Sequence, residues 1–147
     1  MYKSYVNLFS CTLEICADEE AVFAVRRVNK PEQAKENRLT KQAAEELLAY
    51  ARKERKTFTF PIRTSGTEFQ KAVWEELKKI PYGKTVCYGE IASALGKPNA
   101  VRAVGGAIGK NPVLIAVPCH RVVGKNGTLT GFAGGLELKR ALLELEK

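Results

Sequence analysis

Apolar and polar residues alternate loosely from Tyr5 to Ile15, pause at Asp18-Glu19-Glu20, and resume from Ala21 to Val25. A period of two sends successive side chains to opposite faces of a strand, so this stretch predicts a β-hairpin or meander. After a polar loop the period lengthens: Ala44, Leu47, Leu48 and Ala51 fall at helical spacing, with Thr40 placed to cap the helix. Sheet plus helix predicts a small α+β unit. Pro61 and Ser65-Gly66 punctuate the chain after it and place a boundary within residues 56–66.

The second part opens with Thr67-Glu68-Phe69-Gln70, a capping-box pattern, and Phe69, Val73, Leu77 and Ile80 then share one helical face as far as Pro81-Tyr82-Gly83. A short helix, Gly89 to Leu95, stops at Gly96-Lys97-Pro98, and Asn99 is placed to cap another reaching about Gly109. Two short helices across a tight turn predict a helix-turn-helix. Projected at about 100 degrees per residue, the second helix gathers Val101, Val104 and Ile108 on one side. Nearly opposite lie Asn99, Arg102, Gly106 and Gly109, a face of bare backbone carrying one long cation. An interior glycine costs a helix about 1 kcal/mol relative to alanine, so Gly105-Gly106 needs a reason. Close helix packing and approach to a DNA groove both supply one, and the solitary Arg102 favours DNA.

The remainder reads as an apolar strand, Val113 to Val117, broken by Pro118, then Cys119-His120-Arg121, a glycine-rich loop, and a helix from about Leu136. Leu138, Ala141, Leu142 and Leu145 predict the buried stripe of that helix.

Lys and Arg outnumber Asp and Glu by 24 to 16, a net charge of +8 that favours polyanionic partners without naming one. No apolar stretch has the length to cross a bilayer, and the first residues lack a signal-peptide core. The expectation is an intracellular, cytoplasmic protein, nucleoid-associated in a prokaryote, whose four cysteines are free thiols.

Among those four, Cys119 stands apart. A cysteine ending an apolar run is ordinarily an inert core residue. Here Pro118 interrupts the strand, and His120 and Arg121 set two potential cations beside the sulfur, the setting that lowers a thiol pKa. His120 is the only histidine, so any chemistry that needs an imidazole must use it. Neighbours in a strand face opposite ways, so proton transfer from Cys119 to His120 calls for a bridging water unless the turn is tight. An acid must then hold the imidazole tautomer. Asp18, Glu68, Glu75, Glu90, Glu137, Glu144 and Glu146 all qualify, and spacing does not choose among them. Cys11 and Cys16 are five apart and remote from the histidine, so neither a metal nor a cofactor is expected.

The segment Ile115 to Val123, with Pro118-Cys119-His120-Arg121 at its centre, resembles the signature of 6-O-alkylguanine-DNA alkyltransferases. The resemblance extends over residues 67–147 through Phe69 to Trp74, Ile80 to Thr85, Tyr88, Arg102 to Ala107, Asn111-Pro112-Val113 and Gly134-Gly135-Leu136. It implies an α+β fold: a small RNase H-like sheet-plus-helix support domain, 1–63, and a mainly helical domain, 64–147, carrying the helix-turn-helix and the active-site cysteine. The implied reaction is single-turnover transfer of an alkyl group from the 6-oxygen of flipped-out guanine to Cys119, with 4-O-alkylthymine left open as a further substrate.

The implied roles are His120 as base acting through water, Glu146 as its orienting acid, and Asn111 as the hinge to the cysteine segment. Arg102 is the finger in the base stack, Tyr88 pushes the phosphate and assists the departing base, and Gly106 and Arg121 complete the DNA contacts. Pro118, Phe132, Ala133 and Gly134 wall the pocket. The partner is double-stranded DNA containing alkylated guanine, bound by a monomer with cooperative loading left open. No zinc or regulatory cysteine set of the kind some relatives carry is present. The competing reading is a non-catalytic lesion-binding protein of the alkyltransferase-like kind, which typically lacks the cysteine. A helix-turn-helix transcription factor would need base-reading side chains where this helix has glycine and alanine.

Overall fold

The alternation over the first residues folds as a three-stranded antiparallel meander, described like the rest of residues 1–147 in a computed structural model. Its strands are β1 (Tyr2–Leu8), β2 (Cys11–Ala17) and β3 (Val22–Val28) in the order β1-β2-β3. The two-residue β1–β2 turn puts both Phe9 and Ser10 at positive φ, the geometry whose twist matches paired strands. Helix α1 (Arg38–Ala51) covers one face of the sheet. Its cap is Asn37, not Thr40: Asn37 Oδ1 accepts from Thr40 N at 2.9 Å while Thr40 Oγ1 accepts from Asn37 N at 3.0 Å. Thr40 closes the box from inside the first turn, one turn later than its composition suggests. The deepest residues of α1 are Leu39, Ala43, Leu47 and Tyr50, with Ala44, Leu48 and Ala51 on the shoulder of the same face.

Helix α2 (Glu68–Leu77) starts at the expected Thr67–Gln70 capping box. It is followed by β4 (Val86–Cys87) and by α3 (Tyr88–Ala94) and α4 (Val101–Gly109), the two members of the helix-turn-helix. Trp74 is buried in α2 and donates its Nε1 proton to Ala107 O at 2.9 Å, which fixes α4 against α2. Asn99 does not cap α4. The turn closed by Ala100 N on Lys97 O carries the chain one residue further, and Ala100 opens the helix without a side-chain bond. Burial in α4 begins at Val104 and continues through Ala107 and Ile108, whereas Val101, one turn earlier, is exposed.

The predicted strand over Val113–Val117 is not one. Only Val113 and Leu114 meet the sheet, through Val25 N to Pro112 O (2.9 Å) and Leu114 N to Val25 O (3.0 Å). Ile115 then turns at φ 72°, a left-handed conformation that a β-branched residue adopts only under strain, and the segment folds back on itself. Cys119–Arg121 form one 3-10 turn, β5 (Val122–Val123) pairs in parallel with β4, and α5 (Leu136–Leu145) closes the fold. Leu138 and Leu142 are its buried stripe with Ala141 and Leu145 half-buried, and Lys139 is buried beside them. One continuous apolar cluster runs from β1 to α5, so the sheet, the helix-turn-helix and the cysteine segment share a core. No helix is long and apolar enough to cross a membrane.

Candidate active site

The 3-10 turn sets Cys119, His120 and Arg121 on successive corners of a tight bend, and all three are buried. Asn111, just past α4, holds the segment from the other side. Its Nδ2 donates to Val117 O at 2.8 Å and to Cys119 Sγ at 3.1 Å, while its Oδ1 accepts from Val113 N at 3.0 Å. Both ends of the amide are engaged, so one side chain joins the helix-turn-helix to the sulfur.

His120 Nε2 lies 2.7 Å from Glu146 Oε2, which selects Glu146 from the seven carboxylates that spacing left open. Glu146 also accepts from Arg121 Nε (2.8 Å) and Nη2 (3.0 Å), from Gly83 N (3.2 Å), and from the hydroxyl of Tyr50. Burial pushes this carboxyl upward, but the bonds from His120, Arg121 and Tyr50 outweigh it and hold Glu146 well below the usual carboxylate range. Burial lowers the His120 imidazole, with Glu146 opposing, so the ring is neutral near neutral pH. A neutral ring that donates from Nε2 keeps a lone pair on Nδ1, and this buried nitrogen has no partner in the protein.

Two readings of the cysteine's surroundings need correction. Arg121 is not the free surface cation that a DNA contact would need. Its guanidinium is buried, paired with Glu146, bonded to Ile80 O at 2.8 Å, and stacked over Tyr82. For the same reason it does not acidify Cys119, because its charge is spent on Glu146. Burial pushes the thiol up to about 11, against the Asn111 hydrogen bond and the charge of Lys139. At rest Cys119 is a thiol that needs a base.

Lys139 and Tyr50 are site residues that the sequence pattern does not single out. Lys139 Nζ donates to Val122 O at 2.7 Å and Thr130 O at 3.2 Å, tying the glycine-rich loop to the segment after the cysteine. Burial lowers its pKa, with Cys119 opposing. A lysine adjoining the Leu138–Leu142 stripe was the available signal for it. Tyr50, 96 residues from Glu146 in sequence, had none.

The remaining predicted residues sit around this centre. Tyr88, the first residue of α3, shares a 2.6 Å hydrogen bond with Thr130 of the loop. Within that loop Phe132 packs on the core and Ala133 is exposed. Gly134 is buried where a Cβ would stand 2.8 Å from Leu138 and 2.9 Å from Phe132, so no larger residue fits without displacing them. Pro118, directly before the cysteine in the chain, is buried. Arg102 is exposed on α4 and bonds to nothing in the chain, and Gly106 faces open space. Close packing therefore does not explain Gly106, which leaves open backbone on the helix face that carries Arg102.

Fold and site together define a protein in which a helix-turn-helix flanks a buried cysteine served by a histidine–glutamate pair. Residues 68–147 match the family model of the 6-O-methylguanine DNA methyltransferase DNA-binding domain. The chain is 60% identical over 104 residues to the inducible methylated-DNA–protein-cysteine methyltransferase of Bacillus subtilis, a match covering 71% of this chain and 58% of that relative's length. It is 47% identical to the enzyme of the same name from Methanosarcina acetivorans, over 90% of this chain and 89% of the other. The crystal structure of the Mycobacterium tuberculosis O6-methylguanine methyltransferase superposes with a TM-score of 0.90 at 39% identity, covering 99% of this chain and 92% of that one. A Mycobacterium tuberculosis OGT in complex with DNA superposes at 0.85 with 42% identity, over 92% and 86% of the two chains. The chain belongs to the methylated-DNA–protein-cysteine methyltransferase family.

Proposed function

We propose that the protein repairs DNA by taking an alkyl group from the 6-oxygen of guanine onto Cys119, once per molecule. The observation that carries this reading is the bonded series around the cysteine: Asn111 on Sγ, His120 on Glu146, and the unpartnered Nδ1 of His120 within the same turn as the thiol. The Cys119 proton passes through one water to His120 Nδ1. The thiolate attacks the alkyl carbon, a carbon–sulfur bond forms, and the carbon–oxygen bond breaks with its electron pair going to the 6-oxygen. Guanine leaves after regaining a proton. The thioether resists hydrolysis, so nothing regenerates the thiol.

The target oxygen is buried in a duplex, so the nucleotide must be extruded, which costs a few kcal/mol. Arg102 on its bare helix face enters the stack and offsets part of that cost, Gly106 lets the helix backbone approach, and Tyr88 presses on the backbone beside the flipped nucleotide. Pro118 and the Phe132-Ala133-Gly134 loop wall the pocket. Residues 1–63 act as a support domain to residues 64–147, and the protein works as a monomer in the cytoplasm, nucleoid-associated in a prokaryote.

The test is to incubate the protein with a duplex containing 6-O-methylguanine, digest it, and weigh the Cys119 peptide. One added methyl group supports the reading. Tight lesion binding with unchanged mass would instead make it a lesion-recognition protein.

A further inference from the structure

Glu146 is reached by a side chain from the far half of the chain. Tyr50 lies on α1, is fully buried, and donates its hydroxyl proton to Glu146 Oε2, the same oxygen that faces His120 Nε2. We propose that Tyr50 is a positioning residue of the transfer relay, holding Glu146 as a pure acceptor so that His120 must present its Nδ1 lone pair toward Cys119. The proposal rests on the reading of Cys119 as alkyl acceptor.

Arg121 Nε and Nη2 and the backbone N–H of Gly83 can only donate. Tyr50 joins them, because burial and the adjacent Glu146 push its phenol far above its ordinary value, so its proton stays on at any working pH. Every neighbour of the carboxylate then supplies hydrogen, and His120 Nε2 can bond to it only as N–H. The tautomer is thereby fixed by donors from three parts of the chain, Arg121 on the 3-10 turn, Gly83 after α2 and Tyr50 on α1. Ring packing of Tyr50 against Phe58 (5.4 Å) and Tyr82 (6.1 Å) holds the hydroxyl in place and is separable from its hydrogen bond. The charged and titratable groups around the pair are Arg121 and Cys119 on the 3-10 turn, Tyr82 after α2, Lys139 on α5, and Tyr50 on α1.

Tyr50→Phe keeps the ring and deletes the donor. With one donor fewer, the carboxylate is more basic and favours the imidazolium. Single-turnover transfer from a 6-O-methylguanine duplex, followed against pH, should then show its acid-side limb displaced upward by about one unit, with rates below it falling about tenfold. The alkaline plateau and duplex affinity should be retained. Tyr82→Phe is the control, since Tyr82 donates only to Leu145 O, at 3.4 Å. An unchanged Tyr50→Phe profile, a uniform loss at every pH, or an equal displacement in Tyr82→Phe overturns the proposal.

A second measurement needs neither variant nor turnover. His120 is the only histidine, so the imidazole nitrogen-15 shifts of the wild-type protein belong to it without assignment. A protonated Nε2 with a bare Nδ1 supports the proposal, and the opposite tautomer overturns it. Failure of the wild-type protein to methylate Cys119 would sink the underlying reading instead, and shows in the peptide mass before any variant is made.

Discussion

The relay around Glu146 and the outward face of α4 are built on opposite plans. The side chains bonded to Glu146, those of His120, Arg121 and Tyr50, are all buried, and the one buried side-chain polar atom without a partner is the Nδ1 of His120. On α4, Arg102 is exposed and unbonded, and Gly106 and Gly109 meet nothing. A site that moves a proton needs fixed partners in a medium of low dielectric, where each bond counts for more. A surface that must press on another molecule needs to be vacant beforehand. A substitution at Glu146 should therefore cost the fold, and one on α4 should cost only delivery.

The sharpest break is Cys119→Ala, which removes the acceptor. No methyl should appear on the protein by mass, while lesion-duplex affinity in a gel-shift assay stays within about twofold. Glu146→Gln comes next. It leaves the buried Arg121 guanidinium without a counter-charge, a loss of about 3–5 kcal/mol in urea melts, and slows transfer by at least about a hundredfold in whatever fraction remains folded. Arg102→Ala inverts that pattern. Repair in duplex should fall at least about tenfold, reaction with free 6-O-methylguanine should stay near the wild-type rate, and the melting midpoint should hold within about 0.5 kcal/mol.

Acid sharpens the comparison without mutation. The pKa values of Glu146 and His120 are both depressed in the fold, so the unfolded chain binds more protons. Their contribution is complete above the ordinary imidazole value of 6.5. It is lost as pH falls below that value, and further below the ordinary carboxylate value of 4.5. Urea melts along a pH series should show this slope, flattened in Glu146→Gln. The smallest effect is Gly106→Ala, which should stabilise the protein by up to about 1 kcal/mol and still weaken duplex binding, because the added methyl stands on the approaching face.

Local signals were readable where a single turn or period decides the outcome. The meander, the Thr67–Gln70 box, the bare face of α4 and the reactive Pro118–Arg121 segment all depend on neighbours within a few residues. The errors have the same origin. Thr40 and Asn99 look like caps by residue type, but the turns leading into α1 and α4 place the caps three residues earlier, at Asn37, and one residue later, at Ala100. Arg121 reads as a surface cation until Glu146 arrives from 25 residues away. Val113 to Val117 is apolar enough for a strand, yet only its first two residues find an edge on β3. Tyr50 lay beyond reach because nothing in an apolar helix stripe distinguishes a packing tyrosine from one aimed at a distant carboxylate.

Trp74 is the only tryptophan in the chain, and its indole N–H is fastened to Ala107 of α4. That bond makes the protein its own optical probe. Indole emission depends on the polarity and hydrogen bonding around the ring, so a shift of α4 on addition of DNA is expected to register as a change in intensity or wavelength. Stopped-flow emission on mixing with a lesion duplex would time such a shift without a label, separately from the arrival of the alkyl group on sulfur.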